Sequence, residues 1–228
     1  MTEKSIIAII NKLNRYPNYK NCIKHVLSKN VEFAHVWINS VFYTNNPQTF
    51  FLIKNEIEYV GAVLDMKTDL HWVILPKYRK KGYLTTALKD AIIPYLFSIV
   101  EREELKISIN ELAIGKEQYE NSLKTALKVG FKKVDNSTFI LKENDFDFSN
   151  EELDIKYKGL SDGEIEDISI ELKAISKKVS VINSKIELHL GQTPSSYMKP
   201  SLSEMSFKLR YFTSLIDEIK HDHVQNYL

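Results

Sequence analysis

The sequence predicts an α/β domain of the α+β kind followed by an all-α helical hairpin. Three observations predict it. Residues 49–142 alternate short β-branched and aromatic runs with turn residues and helical stretches. Within them, Asp69 to Phe97 reads as a strand, a basic turn with one glycine, and an amphipathic helix. From Ser161 onward the apolar residues change to a strict three-four spacing, the signature of paired helices.

Composition fits this class. The chain has 228 residues, 43% hydrophobic and 27% charged, ordinary for a globular protein with one good core and an appendage. No run approaches the ~18 uncharged apolar residues of a membrane helix. The N-terminus (Met-Thr-Glu-Lys-Ser) lacks the basic-then-apolar order of a signal peptide. The single cysteine, Cys22, excludes an internal disulfide and a cysteine-based metal site. These features predict a cytoplasmic protein with no membrane partner. Net charge is +1 but uneven. Residues 1–146 carry 21 Lys/Arg against 16 Asp/Glu, and residues 161–228 carry 8 against 10. A weakly basic first domain suits an anionic ligand and is too weakly charged to point to nucleic acid.

In chain order, residues 5–15 read as a helix with Ser5 as N-cap. Pro17 interrupts it, and a second helical stretch spans about Asn18 to Ser28. Residues 31–43 fit strand and helix equally. Asn45-Asn46-Pro47 is a turn. Thr49–Lys54 and Ile57–Met66 are strands around an Asn55-Glu56 turn, and Lys67-Thr68-Asp69 turns the chain into a third antiparallel strand at Leu70. Leu70–Leu75 is apolar apart from His71, and Pro76 ends it because proline has no N–H for a ladder. Leu84, Ala87, Leu88, Ala91, Ile92 and Tyr95 form one helical stripe. Lys106–Asn110 is a further strand, parallel to the Leu70–Leu75 strand because a helix separates them. A helix over 117–129 ends at Gly130, a hairpin follows to Lys142, and 147–160 is a linker.

In the last part, Ile165, Ile168, Leu172, Ile175, Val179, Ile182 and Ile186 make one seam. Leu202, Met205, Leu209, Phe212, Ile216 and Ile219 make another. Ser161 with Glu164 is a capping box. Two such seams joined by ten residues predict an antiparallel, coiled-coil-like hairpin over 161–228. It is too thin to bury both seams alone. It therefore packs on the first domain, on a second copy as a homodimer, or on a partner protein.

Between the strand and the helix lies Arg79-Lys80-Lys81-Gly82-Tyr83. The first N–H groups of a helix lack partners and the helix dipole is positive there, so this turn suits a phosphate or pyrophosphate. Gly82 lets the backbone approach such a ligand. The bland alternative is a solvated basic turn.

The run Ile74-Leu75-Pro76-Lys77-Tyr78-Arg79-Lys80-Lys81-Gly82-Tyr83-Leu84 resembles the acyl-CoA-binding motif of the GNAT N-acetyltransferase superfamily, V-x-P-x-Y-R overlapping Q/R-x-x-G-x-G/A. Pro76, Tyr78, Arg79 and Gly82 match in register, and Leu84 departs from the usual Gly or Ala. Ala126-Leu127-Lys128-Val129-Gly130-Phe131 resembles that family's second signature, about 50 residues on. The resemblance covers roughly 48–142. It implies a GNAT-like mixed sheet, an antiparallel meander plus a splayed parallel strand pair that admits the cofactor arm. It further implies transfer of acetyl from acetyl-CoA to a primary amine. In that reading Ile74, Leu75, Arg79, Lys80, Lys81, Gly82, Tyr83, Leu84, Thr85, Asn110 and Ser122 bind the cofactor.

The resemblance leaves the acid and base open. The family's usual base positions correspond to Thr68 and Leu70, which cannot do that work. His71 is one residue off that face and serves only if a bulge turns it inward. Glu58 and Asp65 are weaker candidates. The usual acid position is Ala126, leaving Ser122 at the sulfur and Tyr119 as a substitute acid. No metal is implied; His221-Asp222-His223 reads as solvated. Phe42, Tyr43, Phe50 and Phe51 read as core rather than as a stacking platform. Two other functions stay open: a CoA-binding regulatory or interaction protein without catalysis, and a toxin-type acetyltransferase acting on aminoacyl-tRNA, which the modest charge disfavours.

Overall fold

The computed structural model describes residues 1–38, 46–148, 155, 157, 159–191 and 199–227, with backbone alone for 223–227. Phe42, Tyr43, the Asn45 end of the first turn, most of the 147–160 linker, the 192–198 part of the hairpin loop and the His223 side chain fall outside the described residues. The chain forms two compact units, Met1–Ile155 and Lys156–Leu228.

The first unit is α+β with two antiparallel sheets. Helix α1 (Glu3–Arg15) leads to β1 (Cys22–Ser28), β2 (Val31–Val36), β3 (Gln48–Lys54), β4 (Tyr59–Asp65) and β5 (Leu70–Ile74), which pair in sequence order. After a 3-10 turn at Pro76–Tyr78 come α2 (Tyr83–Ala87), a π-helical segment Leu88–Ile92 and α3 (Ile93–Ser98). Then follow β6 (Glu104–Ser108), α4 (Glu111–Ile114), α5 (Lys116–Val129), β7 (Lys132–Lys133) and β8 (Thr138–Lys142), with strand order β6-β8-β7.

The apolar runs explain the layers. Phe50 and Leu52 pack with Ala62, Leu64, Val73 and the α1 residues Ile6, Ile10 and Leu13. Phe51 and Ile53 point the other way, toward Leu88, Ile92, Leu96 and the second sheet's Ile107, Phe139 and Leu141. Both faces of the first sheet are covered, so β3 reads as continuous rather than alternating. Each such side chain contributes about 1.5–3 kcal/mol by leaving water. Asn14 pins α1 to β4: its Nδ2 donates to the Tyr59 carbonyl at 2.9 Å and its Oδ1 accepts from the Tyr59 N–H at 2.7 Å.

Several expectations are corrected. The helix over Asn18–Ser28 is instead strand β1, paired antiparallel with β2, so residues 31–36 are strand as well. The sheet has five strands rather than three. The first helix is capped by Thr2, not Ser5: Thr2 Oγ1 accepts from the Ser5 N–H at 3.3 Å. Pro94 lies inside the helical segment that runs from Tyr83 to Ser98. Its missing N–H and its ring's crowding of the Asp90 carbonyl are relieved by the wider Leu88–Ile92 segment. Among the described residues strand β6 forms no parallel ladder; its partner is β8, antiparallel, and β5 and β6 are the edges of separate sheets.

The second unit is a helical hairpin of α6 (Asp162–Leu190) and α7 (Leu202–Tyr227). The capping box at Ser161 and Glu164 is present. The pairing is antiparallel, because Ser176 meets Ser206 and Asp162 meets Lys220. The seam is shifted from the expected one. Ile175 and Ile182 are 39% and 51% exposed, whereas Ser176 and Asn183 are buried. Phe212 and Ile219 are likewise exposed on α7. The reason is the serine pair: Ser176 Oγ donates to the Ser206 carbonyl at 2.8 Å, and Ser206 Oγ to the Ser176 carbonyl at 2.9 Å. Small side chains bring the backbones together, and each hydroxyl satisfies the other helix.

Candidate functional site

A cavity of about 630 Å³ opens along the edges of β5 and β6. Its walls are His71, Trp72 and Ile74 of β5, Ile107 and Ser108 of β6 with Ile109 just after it, the turn Arg79 to Thr85, the polar side of α5, and Thr2 and Glu3 at the start of α1. That volume suits a small-molecule ligand.

Backbone polarity fits the edge of β5. The Leu75 N–H donates to the Val60 carbonyl at 2.9 Å. Alternate residues of a strand point their N–H groups to opposite sides, and the β4–β5 register is continuous. The N–H groups of Trp72 and Ile74 therefore face away from β4, toward the cavity. The Ile74 carbonyl on that side accepts from Arg79 Nε at 3.0 Å.

The turn is shaped by two left-handed residues, Lys80 (φ +61°) and Gly82 (φ +86°). No atom lies within 4 Å of where a Gly82 Cβ would be, so conformation and not crowding demands glycine there. The first bond of α2 runs from the Thr86 N–H to the Gly82 carbonyl at 3.0 Å. The Tyr83, Leu84 and Thr85 N–H groups thus have no partner within the helix, and these three residues line the cavity.

The cations there differ in how they are held. Arg79 Nη2 sits 2.7 Å from Glu3 Oε1. Lys80 Nζ sits 3.2 Å from Glu117, both exposed. Lys81 Nζ lies 5.3 Å from the centre of the Tyr78 ring. The Tyr78 hydroxyl donates to Glu58, which also accepts from Lys77 at 2.9 Å. The Lys77 and Tyr78 bonds hold the Glu58 carboxyl below its ordinary range.

His71 lines the cavity, half-buried. Burial pushes its imidazole below the ordinary value, with Asp69 pulling the other way. No bulge interrupts β5, so the backbone shift considered for His71 is absent; it reaches the cavity because β5 is an edge strand. Burial raises the Asp69 carboxyl, while Ser108 and Lys106 of β6 oppose the shift. Asp69 Oδ1 is buried with no partner among the described residues. Ser122 Oγ accepts from Trp72 Nε1 at 3.4 Å, joining α5 to β5.

Thus the structure brings His71, Ile74, Arg79, Lys80, Lys81, Gly82, Tyr83, Leu84, Thr85 and Ser122 to one cavity. Leu75 lies in the core under α1, and its N–H is taken by the sheet. Asn110 caps α4, its Oδ1 accepting from the Leu112 N–H at 3.0 Å. Tyr119 packs against the core and does not line the cavity. Asp65 is held by Arg102 at 2.7 Å and 3.1 Å.

Sequence reasoning missed Trp72, Lys124 and Lys128. The signal was present: Gln118, Asn121, Ser122, Thr125 and Lys128 recur at three-four spacing, a polar helix side that faces the cavity. Among the described residues no group of His, Cys, Asp and Glu is arranged to hold a metal ion. No described helix is long and apolar enough to cross a membrane.

No family model and no curated protein matches the chain. Among solved structures, a crystal structure of a GNAT-family acetyltransferase from Bacillus anthracis is similar at 17% identity and a TM-score of 0.34. The match covers 42% of this chain and spans 66% of the length of that one.

Proposed function

We propose that the first unit binds acetyl-CoA and transfers its acetyl group to a primary amine. The observation that carries this reading is the joint placement of two features along one cavity. One is the edge of β5 with outward N–H groups; the other is the cationic turn Arg79 to Thr85. In this reading the turn holds the pyrophosphate. The Trp72 and Ile74 N–H groups hold the pantetheine arm and polarise the thioester carbonyl. Ser122 meets the sulfur. The amine nitrogen forms a bond to the carbonyl carbon, the amine proton passes to a base, and the carbon–sulfur bond breaks to expel the CoA thiolate, which takes a proton and leaves as the free thiol. His71 supports the base role because its lowered pKa keeps the imidazole neutral at pH 7.

The test is calorimetry with acetyl-CoA on the full chain, followed by a thiol-release assay over a panel of amines. Saturable binding and amine-dependent release are expected, with KM in the range of roughly 1 μM–1 mM. No binding overturns the reading.

A second reading is a CoA-binding protein without catalysis. It is favoured by the tied carboxylates: Glu58 is held by Lys77 and Tyr78, and Asp65 by Arg102. Binding without thiol release for any amine selects it.

A further inference from the structure

The hairpin leaves an apolar side uncovered. Ile168, Ile175 and Ile182 each precede a seam residue of α6, namely Ser169, Ser176 and Asn183. On α7, Met205, Phe212 and Ile219 each precede Ser206, Thr213 and Lys220. In an antiparallel pair of helices, residues with the same offset from the seam fall on the same side of the pair. Ile175, Ile182, Phe212 and Ile219 are 39%, 51%, 47% and 59% exposed, so this side is an apolar strip of two helices. Large apolar side chains gathered in one strip mark an interaction surface.

The charges on α6 say what fits there. Reading only that side, at strict three-four spacing, the order is Glu164, Ile168, Glu171, Ile175, Lys178, Ile182, Lys185. Acid precedes Ile175 and base follows it, with isoleucine at every other position. This pattern is its own complement when reversed. A copy laid antiparallel about Ile175 sets Glu171 against Lys178, Ile168 against Ile182 and Glu164 against Lys185. Across the wider helix Asp162, Glu166 and Asp167 lie in the first half and Lys173 and Lys177 follow Leu172, with Glu187 as the exception. A parallel copy would instead set like charge on like charge.

We propose that this side of the hairpin is the docking surface for a second copy of the same chain, packed antiparallel with Ile175 on the two-fold axis to form a four-helix bundle. A two-fold contact uses one self-complementary patch on both subunits, and the α6 row supplies such a pattern. The charge order sets the register and excludes the parallel arrangement.

The test uses the full chain in sedimentation velocity over a roughly hundredfold range of concentration. A monomer–dimer equilibrium is expected. Glu171→Lys and Lys178→Glu should each weaken dimerisation about tenfold, since each turns two attractive contacts per dimer repulsive. The double variant should restore it, which unfolding cannot mimic; circular dichroism checks that helix content is unchanged. In a Cys22→Ser background, Ile175→Cys should cross-link to itself under mild oxidation. Ile182→Cys should cross-link to Ile168→Cys and not to itself. A monomer at every concentration, equal loss in single and double variants, or self-cross-linking at 182 each overturns the proposal.

Discussion

Arg79 and Glu3 meet at 2.7 Å, at the point where the start of α1 reaches the cationic turn. The guanidinium that would hold a phosphate is thus already paired with a carboxylate 76 residues away in sequence. A ligand phosphate must displace that carboxylate or share the guanidinium with it. Glu3→Gln should therefore tighten acetyl-CoA binding about three- to tenfold, and Arg79→Ala should weaken it about ten- to a hundredfold. Titration calorimetry at low and high salt measures both, and the Arg79 effect should shrink with salt.

The burial of His71 has a pH signature. Its folded-state pKa lies below the ordinary value, so protonation is resisted in the fold. If His71 is the base, kcat/KM should be level near pH 7 and fall at a pH lower than about 6.5. His71→Ala should cost about 10²–10⁴ in rate and abolish that acid limb. Stability has the same sign. The unfolded chain binds the proton first, so folding stability declines as pH falls from about 6.5 through the folded value. Thermal unfolding of His71→Ala against pH checks this separately from activity.

Gly61 holds β4 against β5. A Cβ built there would lie 2.6 Å from the Val73 carbonyl oxygen and 2.3 Å from Ile74 Cδ1. The side chain can turn away, but the backbone oxygen cannot. Gly61→Ala should destabilise by about 1–3 kcal/mol and lower Tm by several degrees, read by calorimetry. Because it pushes on Val73 and Ile74, it should also weaken ligand binding.

Arg102 grips Asp65 through both nitrogens, with the two side chains 18% and 8% exposed. Breaking one side leaves a charge with little water. Asp65→Asn should cost about 3 kcal/mol in chemical denaturation. A double-mutant cycle with Arg102→Met should show strong coupling.

The strand, turn and helix from Leu70 to Ser98 were legible because Pro76, Gly82 and the apolar stripe all agree. Strand β1 was not. Its apolar residues, Cys22, Ile23, Val26 and Leu27, sit at helical spacing, and Ile23 and Val26 are largely exposed. Pairing with β2 overrides that local pattern. The hairpin seam was misread for a different reason. Hydrophobicity selects Ile175 and Ile182, but Ser176 and Ser206 allow closer approach and satisfy each other. At the site, the turn was visible as a motif. Trp72 was hidden among strand residues, and Lys128 stood on a polar helix side whose spacing was visible, but only the fold aims both at one cavity.

Among the described residues the two sheets of the first unit share no ladder, so β5 and β6 meet across the cavity through side chains and not through strand pairing. Cooperative unfolding of the two sheets therefore rests on the apolar core between them. A molecule bound along both edges supplies the missing link, and its binding energy adds to the stability of both sheets at once. At a ligand concentration of about 100 times Kd the gain is about 2.7 kcal/mol. Amide exchange of β5 and β6 should then slow together. Melting temperature becomes a readout of what this cavity holds, independent of any assumption about the chemistry performed there.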